Sequence, residues 1–355
     1  MKKLLAIILT LCLVLSMAAC GAEEPAPQTQ PAVADQTPET TQTEPSQTEE
    51  TTEATETTIP AEPIDVMVLN GTTGFGMANL MDAASRGEAA QEYNFSVETD
   101  ASNIVAGLVN GSVDIAALPT NAAATVYNKT QGGVQVLALN TLGVLYLVTD
   151  GDLEIGSVAD LAGHTVYAPA QNPTFIFQNI VAANGLTDVT IDNTYAQPAD
   201  LNAAVASGQV SIAVLPEPMV TVARSQNPDL VVALDLTEEW DKVCTPGSLV
   251  QGCVVVRTAF VQERPDAVAT FLEEYGLSIE AMTADIDGTA AKIEACGIFA
   301  KGAVAAKAIP NCNVCFITGT EMQAALSEFL DIMFSVAPAS VGGAVPGDDF
   351  YCILN

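Results

Sequence analysis

Few residues in this chain have the chemistry for covalent or metal work. Cys312-Asn313-Val314-Cys315 has the spacing of half a zinc site, but a closed tetrahedral site takes four ligands. No second CxxC follows, and the only His, His164, is far away in sequence. We therefore expect no metal and no cofactor. Ser–His–Asp or Cys–His pairings have only His164 to draw on, so acid–base catalysis is poorly supported. What remains is hydrogen-bonding chemistry. Asn70, Thr72 and Thr73 form one polar group, Thr120 and Asn121 a second, Asn172 and Thr174 a third, and Glu217 stands between Pro216 and Pro218. Such side chains hold a small molecule without transforming it. Helix capping is the competing role for Thr72 and Thr73, and a solvated surface position is the competing role for Glu217. Trp240 reads as a packing anchor, and His164 as an exposed turn residue.

The elements that position these groups follow from periodicity. From Ile64 onward, strand-like and helix-like runs alternate. IDVMVLN (64–70), VDIAALP (113–119) and VQVLALN (134–140) read as buried strands. GMANLMDAAS (76–85) puts Met77, Leu80, Met81 and Ala84 on one helical face. The expected class is α/β, with mostly parallel sheets. An internal echo divides it in two. GSVDIAALP from Gly111 and GQVSIAVLP from Gly208 share Gly, Val, Ile, Ala, Leu and Pro in register. Ile104 and Leu108 before the first copy correspond to Leu201 and Val205 before the second. Two similar α/β lobes follow. Ligands of parallel sheets sit beyond the carboxyl ends of strands, where helix starts offer free backbone N–H groups. Residues 70–76, 119–122, 169–174 and 216–218 are such loops, and all four meet if the lobes face each other.

Composition sets the boundaries. Hydrophobic residues make up 49% of the chain, enough for a large core. A net charge of −32, with 11 Lys and Arg against 43 Asp and Glu, excludes a phosphate-backbone partner such as nucleic acid. Lys2, Lys3 and the apolar run 4–17 read as an export signal over residues 1–19. That run is short of the roughly 20 apolar residues of a membrane span. Ala18-Ala19-Cys20 resembles the lipobox of bacterial lipoproteins, with Met17 where Leu is usual. The alternative is an ordinary signal cut elsewhere. Residues 20–63 are rich in Thr, Glu and Pro without an aromatic residue. They are expected to form a disordered linker spanning on the order of 35–40 Å. Six cysteines remain in the body, where export permits disulfides and a large core makes buried free thiols equally plausible.

Four segments carry a family resemblance: NGTTGFG (70–76), SVADLAGHTVYAPAQNPTF (157–175), LPEP (215–218) and RTAFVQERPDAVATFLEEY (257–275). Their order resembles the type II periplasmic binding protein fold, in the branch of sulfonate, nitrate and thiamine-precursor binding proteins. The resemblance implies lobe one over 64–146 and 252–355 and lobe two over 147–251. Its crossings would be 142–149 and 248–256, and it would close by a hinge over a solute. It implies an extracytoplasmic monomer, lipid-anchored to the cell membrane, that feeds the permease and ATPase of an ABC importer and is not an enzyme. The two rivals are a pyrimidine-precursor synthase-like enzyme on the same fold and a ligand sensor for a membrane receptor. The four loops contain no Lys or Arg and one carboxylate, Glu217, in a strongly acidic body. A neutral or cationic solute is therefore expected over a sulfonate or nitrate. The segments 309–316 and 342–352 have no assigned role. The anchor is directly testable: Cys20→Ala should move the protein from the membrane to the soluble fraction, and retention in the membrane would overturn the lipoprotein reading.

Overall fold

The computed structural model describes residues 62–354. The export signal, Cys20 and nearly all of the linker lie outside the described residues. Eleven strands form two sheets. The first holds β1 (Ile64–Leu69), β2 (Tyr93–Glu98), β3 (Ile115–Pro119), β4 (Val134–Thr141), β10 (Gly252–Arg257) and β11 (Val314–Ile317), ordered β11-β4-β10-β3-β1-β2. The second holds β5 (Leu145–Thr149), β6 (Thr165–Tyr167), β7 (Thr190–Asp192), β8 (Ile212–Pro216) and β9 (Val231–Asp235), ordered β7-β6-β8-β5-β9.

The two orders are the same pattern. In each sheet the first strand of the lobe lies between the second and third, all parallel. A reversed strand then separates the third from the fourth: β10 in one sheet, β5 in the other. The sequence echo falls on equivalent places, because β3 and β8 are the third strands. Gly111 and Gly208 both turn the chain at positive φ, 80° and 72°, where a side chain would be strained.

The α/β class and the two lobes agree with the sequence reading, but the sheets are mixed rather than mostly parallel. The reason is the route of the chain. β5 and β10 each begin just after a crossing from the other sheet. They start where the neighbouring parallel strands end, so they must run the opposite way.

Three apolar clusters hold the body together. One covers the outer face of the first sheet, where Ile64, Val66, Val68 and Val254 meet Phe271, Tyr275 and Ile293. A smaller one covers the second sheet, with Val148, Leu201, Val205 and Leu215. The largest runs through both sheets. Its link is the helix Gly319–Val336, which buries Met322, Leu326, Phe329, Leu330 and Met333. Phe329 packs against Trp240 with ring centroids 6.0 Å apart. Trp240 is fully buried and its indole N–H donates to Ser248 Oγ at 2.9 Å, the packing role expected for it.

The crossings are short. Only residues 142–144 separate β4 from β5, and Gly143 lies against Thr237 and Leu249. A Cβ there would overlap the Thr237 hydroxyl and come within 2.7 Å of Leu249 Cδ2. Overpacking of this kind costs about 1–3 kcal/mol. Gly143→Ala should therefore lower the denaturation midpoint by a corresponding amount. Gly156→Ala, where the new Cβ meets only Asp160 Oδ2 at 3.8 Å, should leave it nearly unchanged. Equal midpoints for both variants would show that the crossing tolerates the added volume.

Candidate functional site

Each of the four polar loops does stand at the carboxyl end of a first or third strand and opens a helix. β1 leads through Gly71, at φ 86°, into Thr72–Phe75; β3 leads into Thr120–Thr130. β6 leads into Asn172–Ala183 and β8 into Met219–Gln226. The third loop carries Gln171 at φ 70°, a backbone position that favours glycine. Gly74 cannot carry a side chain, because a Cβ would meet Val68 Cγ1 at 2.8 Å and Ile298 Cγ2 at 2.9 Å. That close approach fixes the first loop against its strand.

The loops touch across the two sheets. Thr72 Oγ1 donates to the Glu217 carbonyl at 2.8 Å. Asn172 Nδ2 donates to Asn121 Oδ1 at 2.8 Å. Two cavities lie beside these loops. The larger, about 1000 Å³, is lined by Asn70 and Asn121 from the first sheet's loops and by Gln171 and Asn172 from the second's. Thr99, Asp100, Ser102, Thr125, Lys129, Gln197 and Ser340 complete its polar lining. The smaller, about 500 Å³, holds Tyr146, Glu217, Thr221, Arg224, Lys307 and Asn311.

The sequence-derived candidates separate accordingly. Asn70, Asn121 and Asn172 line the large cavity. Asn172 is 8% exposed, and its Oδ1 is buried without a hydrogen-bond partner among the described residues. Thr120 is fully buried and donates to the Val250 carbonyl at 2.8 Å. Thr174 donates to the Pro169 carbonyl at 2.7 Å and accepts from Asn193 Nδ2 at 2.6 Å. Thr73 gives its carbonyl to Asn140 Nδ2 at 3.0 Å. These three hold the loops in place and line neither cavity. Glu217 faces the small cavity, with its carboxylate accepting from Thr221 N at 3.1 Å and Thr221 Oγ1 at 2.9 Å. Local pattern gave no signal for Asp100 and Gln197, which follow the second strands β2 and β7, or for Lys129, on the far end of a helix. The shared β2-β1-β3 and β7-β6-β8 order brings the second-strand residues beside the loops.

The single His stands apart from this chemistry, whereas Cys312 Sγ lies 3.8 Å from Thr72 Oγ1. Cys244, Cys253, Cys296, Cys312, Cys315 and Cys352 are all free thiols. Burial raises the thiol pKa of Cys312, which is fully enclosed, and pushes that of Cys315 up to about 12. Thiols held protonated are poor ligands and nucleophiles. His164 precedes β6, at the end of that strand away from the polar loop. The two unassigned segments are structural. Asn313 accepts from Leu142 N at 3.0 Å and donates through Nδ2 to the Gly143 carbonyl at 2.6 Å. The final stretch lies on the helix after β3, where Asn128 Nδ2 donates to the carbonyls of Val341 and Ala344 at 2.7 Å.

Glu217 is 4% exposed, and burial is the largest influence on its carboxyl, raising its pKa above the ordinary glutamate value. Hydrogen bonds from Thr221 and Asn311 and the charge of Arg224 act the other way. A carboxyl raised in the folded state favours folding fully below its unfolded pKa, and that contribution is lost as pH rises through the folded value. Glu217→Gln keeps an oxygen acceptor for Thr221 and removes the titration. The variant should therefore melt higher than the parent at pH 7, and the gap should close as pH falls below about 4, the ordinary glutamate range. A gap independent of pH would show that Glu217 does not titrate as its burial dictates.

Comparison with known proteins agrees with this architecture. The family described as NMT1/THI5 like matches residues 92–287, more than half of the chain. No curated protein matches the sequence. The crystal structure of an ABC transporter from Parabacteroides distasonis superposes with a TM-score of 0.70 at 23% identity, covering 82% of this chain and 99% of that one. The periplasmic aliphatic sulphonate binding protein SsuA from Escherichia coli superposes with a TM-score of 0.66 at 14% identity, covering 80% and 96%. The CA3427 gene product of Candida albicans, which has the generic periplasmic binding protein fold, gives 0.52 at 10% identity, covering 82% and 93%. Two like-ordered mixed sheets, polar loops meeting between them and the matched segment together make this chain a member of the NMT1/THI5-like family on the periplasmic binding protein fold.

Proposed function

We propose that the chain is an extracytoplasmic solute-binding protein that captures a small molecule and delivers it to the permease and ATPase of an ABC importer. The observation that carries this reading is the large open cavity, about 1000 Å³, lined by loops from two sheets that are joined by the crossings and by the helix Gly319–Val336. A cavity of this size suits a small solute, and short crossings let two bodies rotate. Residues 64–146 with 252–355 would form one lobe and 147–251 the other, closing over the solute. Export and a lipid on Cys20 would hold the protein at the membrane. An enzyme reading has less support: His164 lies away from the cavities and the buried thiols are held protonated.

Asn70, Asn121 and Asn172 are the proposed contacts, with Gln171, Gln197 and Asp100 joining them. The amides supply both donors and acceptors. Asn172 Oδ1, buried without a partner, would accept a solute N–H or O–H. Leaving such an atom unpaired costs roughly 1–3 kcal/mol, so a donor-bearing solute gains most there. Glu217 no longer supports a cationic solute in this cavity, because it faces the other one. Asp100 is matched by Lys129 in the lining, so the preference for a neutral or cationic solute rests on the amides and on the acidic body, which repels anions on approach.

A thermal-shift panel of small nitrogen heterocycles, amines, sulfonates and nitrate tests this reading. Binding at about 100 times Kd stabilises by roughly 2.7 kcal/mol. We expect shifts from the nitrogen compounds, reduced about tenfold in apparent affinity, or about 1.4 kcal/mol, by Asn172→Ala. Stabilisation by sulfonates alone would overturn the charge preference. With the best solute, small-angle scattering should give a smaller radius of gyration; an unchanged radius would overturn closure.

A further inference from the structure

The smaller cavity has a composition unlike the rest of this acidic molecule. It lies between the helices Met219–Gln226 and Gly302–Ala308, the first following β8 of the second sheet and the second belonging to the first sheet's lobe. Arg224 enters it from one side and Lys307 from the other. Only 11 Lys and Arg occur in the whole chain. Among the described residues, Arg86, Lys242, Arg257 and Lys292 are paired with carboxylates. Arg224 and Lys307 are not, although acidic side chains outnumber basic ones several-fold. Lys129, Arg264 and Lys301 form no salt bridge either, so what sets this cavity apart is that two of the nine described cations line it together.

The remaining lining fits the same chemistry. Tyr146 is 8% exposed, with its hydroxyl donating to the Asn311 carbonyl at 2.8 Å. This bond fixes one wall to the other. The carboxyl of Glu217 is turned into its own helix by Thr221, and burial moves it toward the neutral acid. It therefore repels an incoming anion less than a free carboxylate would. A guanidinium offers a fork of N–H donors and an ammonium a point charge, which together suit the oxygens of one oxyanion.

We propose that this cavity is a second binding site, for a small oxyanion of the phosphate or carboxylate class, held by Arg224 from one lobe and Lys307 from the other. The site is separate from the solute cavity. An oxyanion there bridges the two lobes, so its binding favours the arrangement in which Arg224 and Lys307 are close.

Calorimetric titration of the lipid-free mature protein with inorganic phosphate and with acetate, at matched ionic strength, tests the proposal. We expect saturable binding of at least one probe. Its affinity should fall about tenfold or more, the worth of about 1.4 kcal/mol, in both Arg224→Gln and Lys307→Gln. Lys301→Gln, an exposed cation outside the cavity, should bind as the parent does. Phosphate binding without acetate binding assigns the phosphate class, and the reverse assigns the carboxylate class. Absence of saturable binding of either probe, or equal affinity in all three variants, would overturn the site. That outcome leaves solute capture in the large cavity untouched, because Asn172→Ala reads that cavity independently.

Discussion

The structure depends on satisfying the backbone where the chain passes between sheets. Buried N–H and C=O groups must find partners, and neither sheet continues through residues 142–144. Gln251 supplies part of the solution. Its backbone N–H donates to the Thr141 carbonyl at 2.9 Å, its carbonyl accepts from Thr120 N at 3.2 Å, and its side-chain oxygen accepts from Val144 N at 2.8 Å. One residue of the second crossing thus ties together the first crossing and a polar loop. Asn313 completes the set from the far end of the chain, taking Leu142 N and giving Nδ2 to the Gly143 carbonyl. The Val144 carbonyl in turn accepts from Glu217 N at 2.9 Å. Two of the four polar loops, those after β3 and β8, are therefore positioned by the crossings themselves.

This coupling explains which parts of the fold were legible in the sequence. Period-two apolar runs and the Gly-turn-strand echo are local signals, and they place β3 and β8 in equivalent positions. The loops at the carboxyl ends of first and third strands follow from the same signals. Second strands contribute Asp100 and Gln197 only through lateral pairing of β2 on β1 and β7 on β6, which no local pattern encodes. The reversal of β5 and β10 is likewise a property of the route between sheets. The spacing of Cys312 and Cys315 points to metal chemistry, yet the segment serves the crossing through Asn313 and the sheet edge through β11. Its thiols are enclosed by that packing.

The candidate side chains divided by a similar logic. Threonines at helix starts have short hydroxyls that reach the nearest carbonyl, and Thr72, Thr120 and Thr174 each found one. Asparagine amides carry donor and acceptor together, so satisfying one end leaves the other available. Asn172 shows this: its Nδ2 bonds Asn121 while its Oδ1 stays unpaired. Glu217, stiffened by flanking prolines, used its reach to cap its own helix rather than to enter the large cavity. The helix N–H groups favour its ionised form only in part, because burial disfavours it more.

The helix Gly319–Val336 constrains any motion of the two lobes. It packs on the helix Asn172–Ala183 and on Trp240 while also lying on β4 and the helix Thr120–Thr130. Burial of Phe329 alone is worth about 3–5 kcal/mol by analogy with Phe-to-Ala losses. The contacts between the loops, Thr72 to Glu217 and Asn121 to Asn172, are single hydrogen bonds worth about 0.5–1.5 kcal/mol each. The loop contacts are therefore weaker than the helix packing that joins the two sheets beside Trp240 and Phe329. Under the proposed capture of a solute, a small differential affinity would therefore be enough to shift the balance between parted and joined loops, while the apolar bridge would keep the two sheets in register.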